Sequence, residues 1–128
     1  MDNQRKDIAA LHREIVEWKE LIMLVRDEIL IFEHQLGELL ATQHGMEVMQ
    51  HVQRFESQFI RHKEVSDELF HDLKIADHQL KVILERNTES DEPIVEDHVM
   101  LRDKVHTYER LFNELKEDYR HFLAAVVA

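Results

Sequence analysis

The 128 residues include no cysteine, one proline and two glycines. Without a thiol the chain can hold neither a disulfide framework nor a thiolate metal site, and its redox compartment is left open. Scarcity of proline and glycine removes the usual helix breakers and tight-turn residues. With 34% of residues charged, this composition favours long helices over sheet or disorder. No run approaches the ~20 apolar residues of a spanning helix, and the opening MDNQRKDIAALHRE is too polar for a signal peptide. A cytoplasmic location is therefore expected. Positive charge is also short: 16 Lys and Arg against 27 Asp and Glu give a formal charge of -11. That balance repels phosphate backbones and anionic lipid, so the expected partners exclude nucleic acid and membrane but admit a basic protein.

What is present is heptad order. In the first third, apolar residues recur at alternating steps of three and four: Ile8, Leu11, Ile15, Trp18, Ile22, Val25, Ile29, Phe32, Leu36 and Leu39. Such spacing places them at positions a and d of an amphipathic helix. A second seam runs from Val48 and Val52 through Phe55, Phe59, His62, Ser66, Leu69, Leu73, Ala76 and Leu80 to Ile83. A third runs Ile94, His98, Leu101, Val105, Tyr108, Phe112, Leu115, Tyr119, Phe122, Val126. Three helices are predicted, over about residues 5–42, 46–86 and 92–126, in one domain spanning 1–128.

The breaks between them have different strengths. NTESDEP at 87–93 offers Ser90 or Asp91 as a cap, Glu92 for the first turn and Pro93 where proline is tolerated. The earlier break rests on Gly45 and on phase, because continuing the first seam would put Gln43 and Gln50 in the core. The second seam is offset by two residues, which turns a helix by about 200°. A tight turn is the simpler geometry.

Short connections make neighbouring helices antiparallel, so the fold class is all-α: an up-down-up bundle of three long helices with heptad-type core packing. Counting outward from the turns sets Leu36 near Val52, Trp18 near Leu69 and Tyr108, and Leu11 near Ala76 and Leu101. The same alignment pairs Asp72 with Lys104, Glu14 with Arg102 and Glu28 with Lys116. Three long heptad helices with a tryptophan, Trp18, resemble spectrin-type repeats in outline, and the likeness extends no further than those heptads and that residue.

Helix one carries more apolar surface than one seam needs. Its outer columns hold Val16, Met23 and Leu30 on one side and Leu24 and Ile31 on the other, whereas the equivalent columns of the other helices are mostly polar. A helix with so narrow a polar strip is expected to be covered on both sides. The expected occupant is a second copy of the chain, giving a homo-oligomer, with a dimer favoured and a larger helical assembly as the result. The competing expectation is that the turn or the C-terminal FLAAVVA folds over the face.

Ten histidines raise a metal reading. Glu68 with His71, Asp103 with His106 and Asp118 with His121 have the carboxylate-histidine spacing of di-iron bundles, but all fall on outward columns where such sites project inward. His44, Glu47 and His51 share one flank without an enforced geometry. His62 and Ser66 occupy core positions, and a structural polar layer that fixes register is their expected role. His98 is expected at the open end, partly exposed. There is no phosphate loop, nucleophile elbow or HExxH motif, and no carboxylate is expected in a core seam. The reading is a non-enzymatic interaction module that self-associates through helix one, with no catalytic residue, cofactor or metal assigned. The alternative is a metal- or cofactor-binding bundle using histidine and carboxylate ligands.

Overall fold

The structure, a computed structural model, describes the backbone of residues 2–42, 44–86 and 92–127 and the side chains of 7–42, 44–85 and 97–127. Three helices account for nearly all of it: α1 (Asp2–Leu40), α2 (Met46–Arg86) and α3 (Glu92–Val127). The all-α bundle is thus as expected. The proposed caps Ser90 and Asp91 lie outside the described residues.

At the first turn, α1 ends where the Ala41 and Thr42 amides reach back to the carbonyls of Gly37 and Leu39 (3.2 and 3.3 Å). The Thr42 hydroxyl also donates to the Leu39 carbonyl (3.1 Å), so carbonyls that the helix end would orphan find donors. Helix α2 restarts with the Met49 amide on the Gly45 carbonyl (3.2 Å).

The a and d positions form the core. Ile8, Ile15, Ile22, Ile29 and Leu36 of α1 are buried with Trp18, Val25, Phe32 and Leu39 between them. They meet Val52, Phe55, Phe59, Leu69, Leu73 and Leu80 of α2, and Leu101, Val105, Tyr108, Phe112, Leu115 and Tyr119 of α3. Near the first turn the filling is aromatic. Phe32 lies 4.9 Å from Tyr119 and 5.6 Å from Phe59 between ring centroids, and Phe55 lies edge-on to Tyr119 at 5.4 Å. Such pairs add about 0.5–1.5 kcal/mol beyond their burial.

Ion pairs locate the helices axially. Glu14–Arg102 (2.7 Å), Glu28–Lys116 (2.5 Å) and Asp72–Lys104 (3.8 Å) join the expected partners. Helices α1 and α2 are staggered differently. The alignment that sets Leu36 near Val52 would put Phe32 level with residue 56 and Arg26 with residue 62, yet Phe32 packs on Phe59 and Arg26 pairs with Asp67 at 3.0 Å. The turn fixes which faces meet, while interlocking side chains fix how far one helix slides along the other. The ring of Trp18 lies 4.9 Å from that of His98, and the ring of Tyr108 stacks on His62 at 4.5 Å.

Candidate interaction surface

Two kinds of position stand out from a plain apolar bundle: polar groups drawn into the core, and apolar groups left outside it. The polar groups form one cluster for each pair of helices.

Between α2 and α3, Ser66 donates to the His62 carbonyl (2.9 Å), which leaves the Tyr108 hydroxyl to donate to the Ser66 oxygen at 2.5 Å. His62 is sandwiched against Tyr108 and Phe112 (4.5 and 5.5 Å between centroids). Its Nε2 is buried without a hydrogen-bond partner. Burial pushes the His62 pKa below the usual histidine value, opposed in part by a contact with the Tyr108 backbone. The Tyr108 hydroxyl is pushed up by its burial, and the Ser66 hydrogen bond acts the other way. His62 and Ser66 therefore occupy the core layer that their heptad positions imply, with Tyr108 as its third member.

Between α1 and α3, Glu14 accepts two hydrogen bonds from Arg102 (3.0 and 2.7 Å) and one contact from His98 Nε2 (2.9 Å). The bidentate Arg102 guanidinium holds the Glu14 carboxyl below its ordinary pKa, as expected for a charge-assisted pair. His98 is buried, not partly exposed as its place near an open end suggests, because Trp18 covers its ring.

Between α1 and α2, buried Asp77 meets His12 Nδ1 at 2.5 Å, with Lys19 at 3.7 Å and Lys81 at 3.9 Å. This corrects the expectation of a core seam free of carboxylates. A straight helix drifts by about 20° per heptad from a strict 3.5-residue repeat, so four heptads beyond Val48 the inward position passes from Ala76 to Asp77. The buried series Leu69, Leu73, Asp77, Leu80 takes steps of four, four and three. The small Ala76 was the only sequence sign of the change.

The apolar outliers concentrate on α1. Val16 is 39% exposed, and Met23, Leu24, Leu30 and Ile31 are 56–62% exposed. The tail does not cover them. Helix α3 continues to Val127, with Phe122 and Val126 beside Val48 and His51, and Leu123 beside Gln35 and Leu39, at the first-turn end. Around the helix, at about 100° per residue, the exposed residues form two columns rather than one stripe. Val16, Met23 and Leu30 occupy position b, Leu24 and Ile31 position c, and position f, opposite the core, lies between them with Arg13, Glu20, Asp27 and His34. From Val16 to Ile31 the face runs roughly 22 Å.

Its charges are unevenly satisfied. His34 pairs with Glu38 (3.1 Å), Arg26 with Asp67, and Glu28 with Lys116. Among the described residues, no cation lies within salt-bridge distance of Glu17, Glu20 or Asp27. Gly37, at the end of the b column, has nothing within 4 Å of where a Cβ would stand.

The other surfaces have less definition. An open groove of about 590 Å³ runs between α2 and α3 over His62, Val65, Leu69, Tyr108 and Leu111. His44, Glu47, His51 and His121 border another near the first turn. Among the described residues no group of three or more His, Asp or Glu is arranged to hold a metal ion, and no helix is long and apolar enough to cross a membrane. Comparison with protein-family models, curated proteins and solved structures finds no match to this chain.

Proposed function

We propose that this protein is a non-enzymatic helical interaction module of the cytoplasm that associates with a second copy of itself through the outer face of α1. The observation that carries this reading is the set of four large apolar side chains, Met23, Leu24, Leu30 and Ile31, each more than half exposed opposite a core that is already filled. Clustered exposed apolar side chains of this kind commonly mark association sites, and a homo-oligomer most often uses one patch on both subunits. A single helix face is small beside the ~800 Å² per partner of a standard interface, so a monomer-dimer equilibrium that follows concentration is expected.

The Leu24→Glu, Ile31→Glu double variant tests it. Both side chains face away from the intrachain core, so helicity by circular dichroism should be retained while sedimentation shifts to the smaller species. A wild type that remains monomeric at several hundred micromolar would remove the basis of the reading. The unpaired Glu17, Glu20 and Asp27 support a second reading, in which a basic amphipathic helix from another protein takes the same face. That reading predicts a monomeric wild type whose binding to such a helix is lost in the same double variant.

A further inference from the structure

We infer that the second copy lies antiparallel on α1, with the two-fold axis passing beside Asp27. The inference rests on the self-association reading and adds its register. A two-fold axis perpendicular to two antiparallel helices sets column b against column b and column c against column c, with the f residues between them. Centred on Asp27, this operation brings Met23 against the partner's Leu30 and Leu24 against the partner's Ile31, each contact occurring twice. All four of the most exposed apolar residues of the face then cover one another. Val16 falls over the partner's Gly37, where the absence of any atom within 4 Å of a Cβ position leaves room for a branched side chain. Glu20, which has no cation of its own, meets the partner's His34.

Competing registers use the face less well. Centring between Met23 and Leu24 sets Glu20 against the partner's Asp27 twice, placing four carboxylates at the axis. Centring on Glu20 pairs Arg13 with the partner's Asp27, but it leaves Leu24 against a glutamate and Leu30 against Ala9. Burial of large apolar side chains outweighs exposed ion pairs, so the Asp27-centred register is preferred. Its like-charge contacts are Asp27 with itself and, at the ends of column c, Glu17 with the partner's Glu38.

The natural chain has no cysteine, so single-cysteine variants report register directly. Packed helix axes lie about 8–10 Å apart, which brings facing f-position Cα atoms within the ~7 Å that a disulfide requires. Under mild oxidation of the folded full-length protein, Asp27→Cys should form a covalent dimer and Glu20→Cys should not. A mixture of Met23→Cys and Leu30→Cys chains should cross-link more than either alone, which gives a second reading free of the Asp27 substitution. Cross-linking by Glu20→Cys in place of Asp27→Cys would refute the register, and equal cross-linking by both would indicate parallel helices and refute it as well. A wild type that sediments as a dimer while neither the single variants nor the mixture cross-links would overturn the register and leave self-association standing. A monomeric wild type overturns both.

Discussion

Replacing His62 with Leu tests whether a lone imidazole nitrogen is held in a dry core. At neutral pH two effects oppose each other. Leucine forfeits the stacking on Tyr108 and Phe112, worth about 0.5–1.5 kcal/mol, but it also removes the unpartnered Nε2, whose burial costs about 1–3 kcal/mol. The variant should therefore lie between about 0.5 kcal/mol below and about 2.5 kcal/mol above wild type in stability. The decisive quantity is the change with pH. Burial lowers the folded pKa of His62, so between that value and the unfolded ~6.5 the unfolded chain binds more protons. Stability is then full above about 6.5 and falls as pH drops through the window, by at most ~1.4 kcal/mol per pH unit for one group. Between pH 7.5 and 5.5 the wild type should lose up to about 1.4 kcal/mol relative to the His62→Leu variant, because only about one pH unit of that range lies below 6.5. Denaturant melts of both proteins at pH 7.5, 6.5 and 5.5 measure this difference. Using the Leu24→Glu, Ile31→Glu background keeps association from contributing, and subtraction removes every titrating group that the two proteins share. Glu14 does not interfere, since its lowered carboxyl pKa places its effect below about pH 4.5. Parallel stability curves would refute the reasoning and show that His62 accepts its proton at no cost.

Trp18→Ala removes a large buried side chain from beside His98 and should cost ~3–5 kcal/mol, measured by the same melts. Asp77→Ala should cost about 1–2 kcal/mol, near the lower range for hydrogen bonds to a charged group because the exposed sides of His12 and Lys81 can rehydrate; a double-mutant cycle with His12→Ala should show non-additivity, and simple additivity would mean that the pair is not coupled. Acidification lowers the magnitude of the formal charge of -11 and with it the repulsion between two copies. Light scattering should accordingly show tighter association from pH 7.5 to 5.5, and weaker association would contradict self-association through an apolar face.

Much of this architecture could be read from periodicity alone, because the heptad rule is local: each a or d residue needs only its neighbours three and four positions away. The seam from Ile8 to Leu39 is buried throughout except at Leu11, which is partly covered. The α1–α3 pairs Glu14–Arg102 and Glu28–Lys116 were also legible, since charges flanking two seams reveal parallel neighbours. The axial stagger of α1 and α2 was not, because it depends on the joint packing of Phe32, Phe59 and Tyr119, residues far apart in the chain. Asp77 was hidden by assuming one strict period over more than four heptads. His98 was hidden because its burial depends on the reach of Trp18, a property of one side chain rather than of a pattern. The exposure of the α1 face follows from its b and c positions, but the open space at Gly37 is a property of the folded bundle.

The three polar clusters have a common logic. An apolar heptad core tolerates sliding and exchange of neighbours, because one leucine layer resembles the next. Here each helix pair has its own polar key: Asp77 with His12 and Lys19 for α1 and α2, Glu14 with Arg102 and His98 for α1 and α3, Tyr108 with Ser66 for α2 and α3. A one-heptad slip of α3 along α2 would set Tyr108 against Phe59 or Leu73 in place of Ser66 and leave its buried hydroxyl without that partner, at a greater cost than the few exposed contacts such a slip could form. The bundle therefore has one arrangement that satisfies all three keys at once. The outer face of α1 repeats the principle in weaker form. Its apolar columns supply attraction that by itself would accept several registers, and the f column between them supplies charges that distinguish one register from another. Because the face is small and sets Asp27 against itself at the axis, no dimer it selects is made permanent, and an association that responds to concentration is the expected consequence.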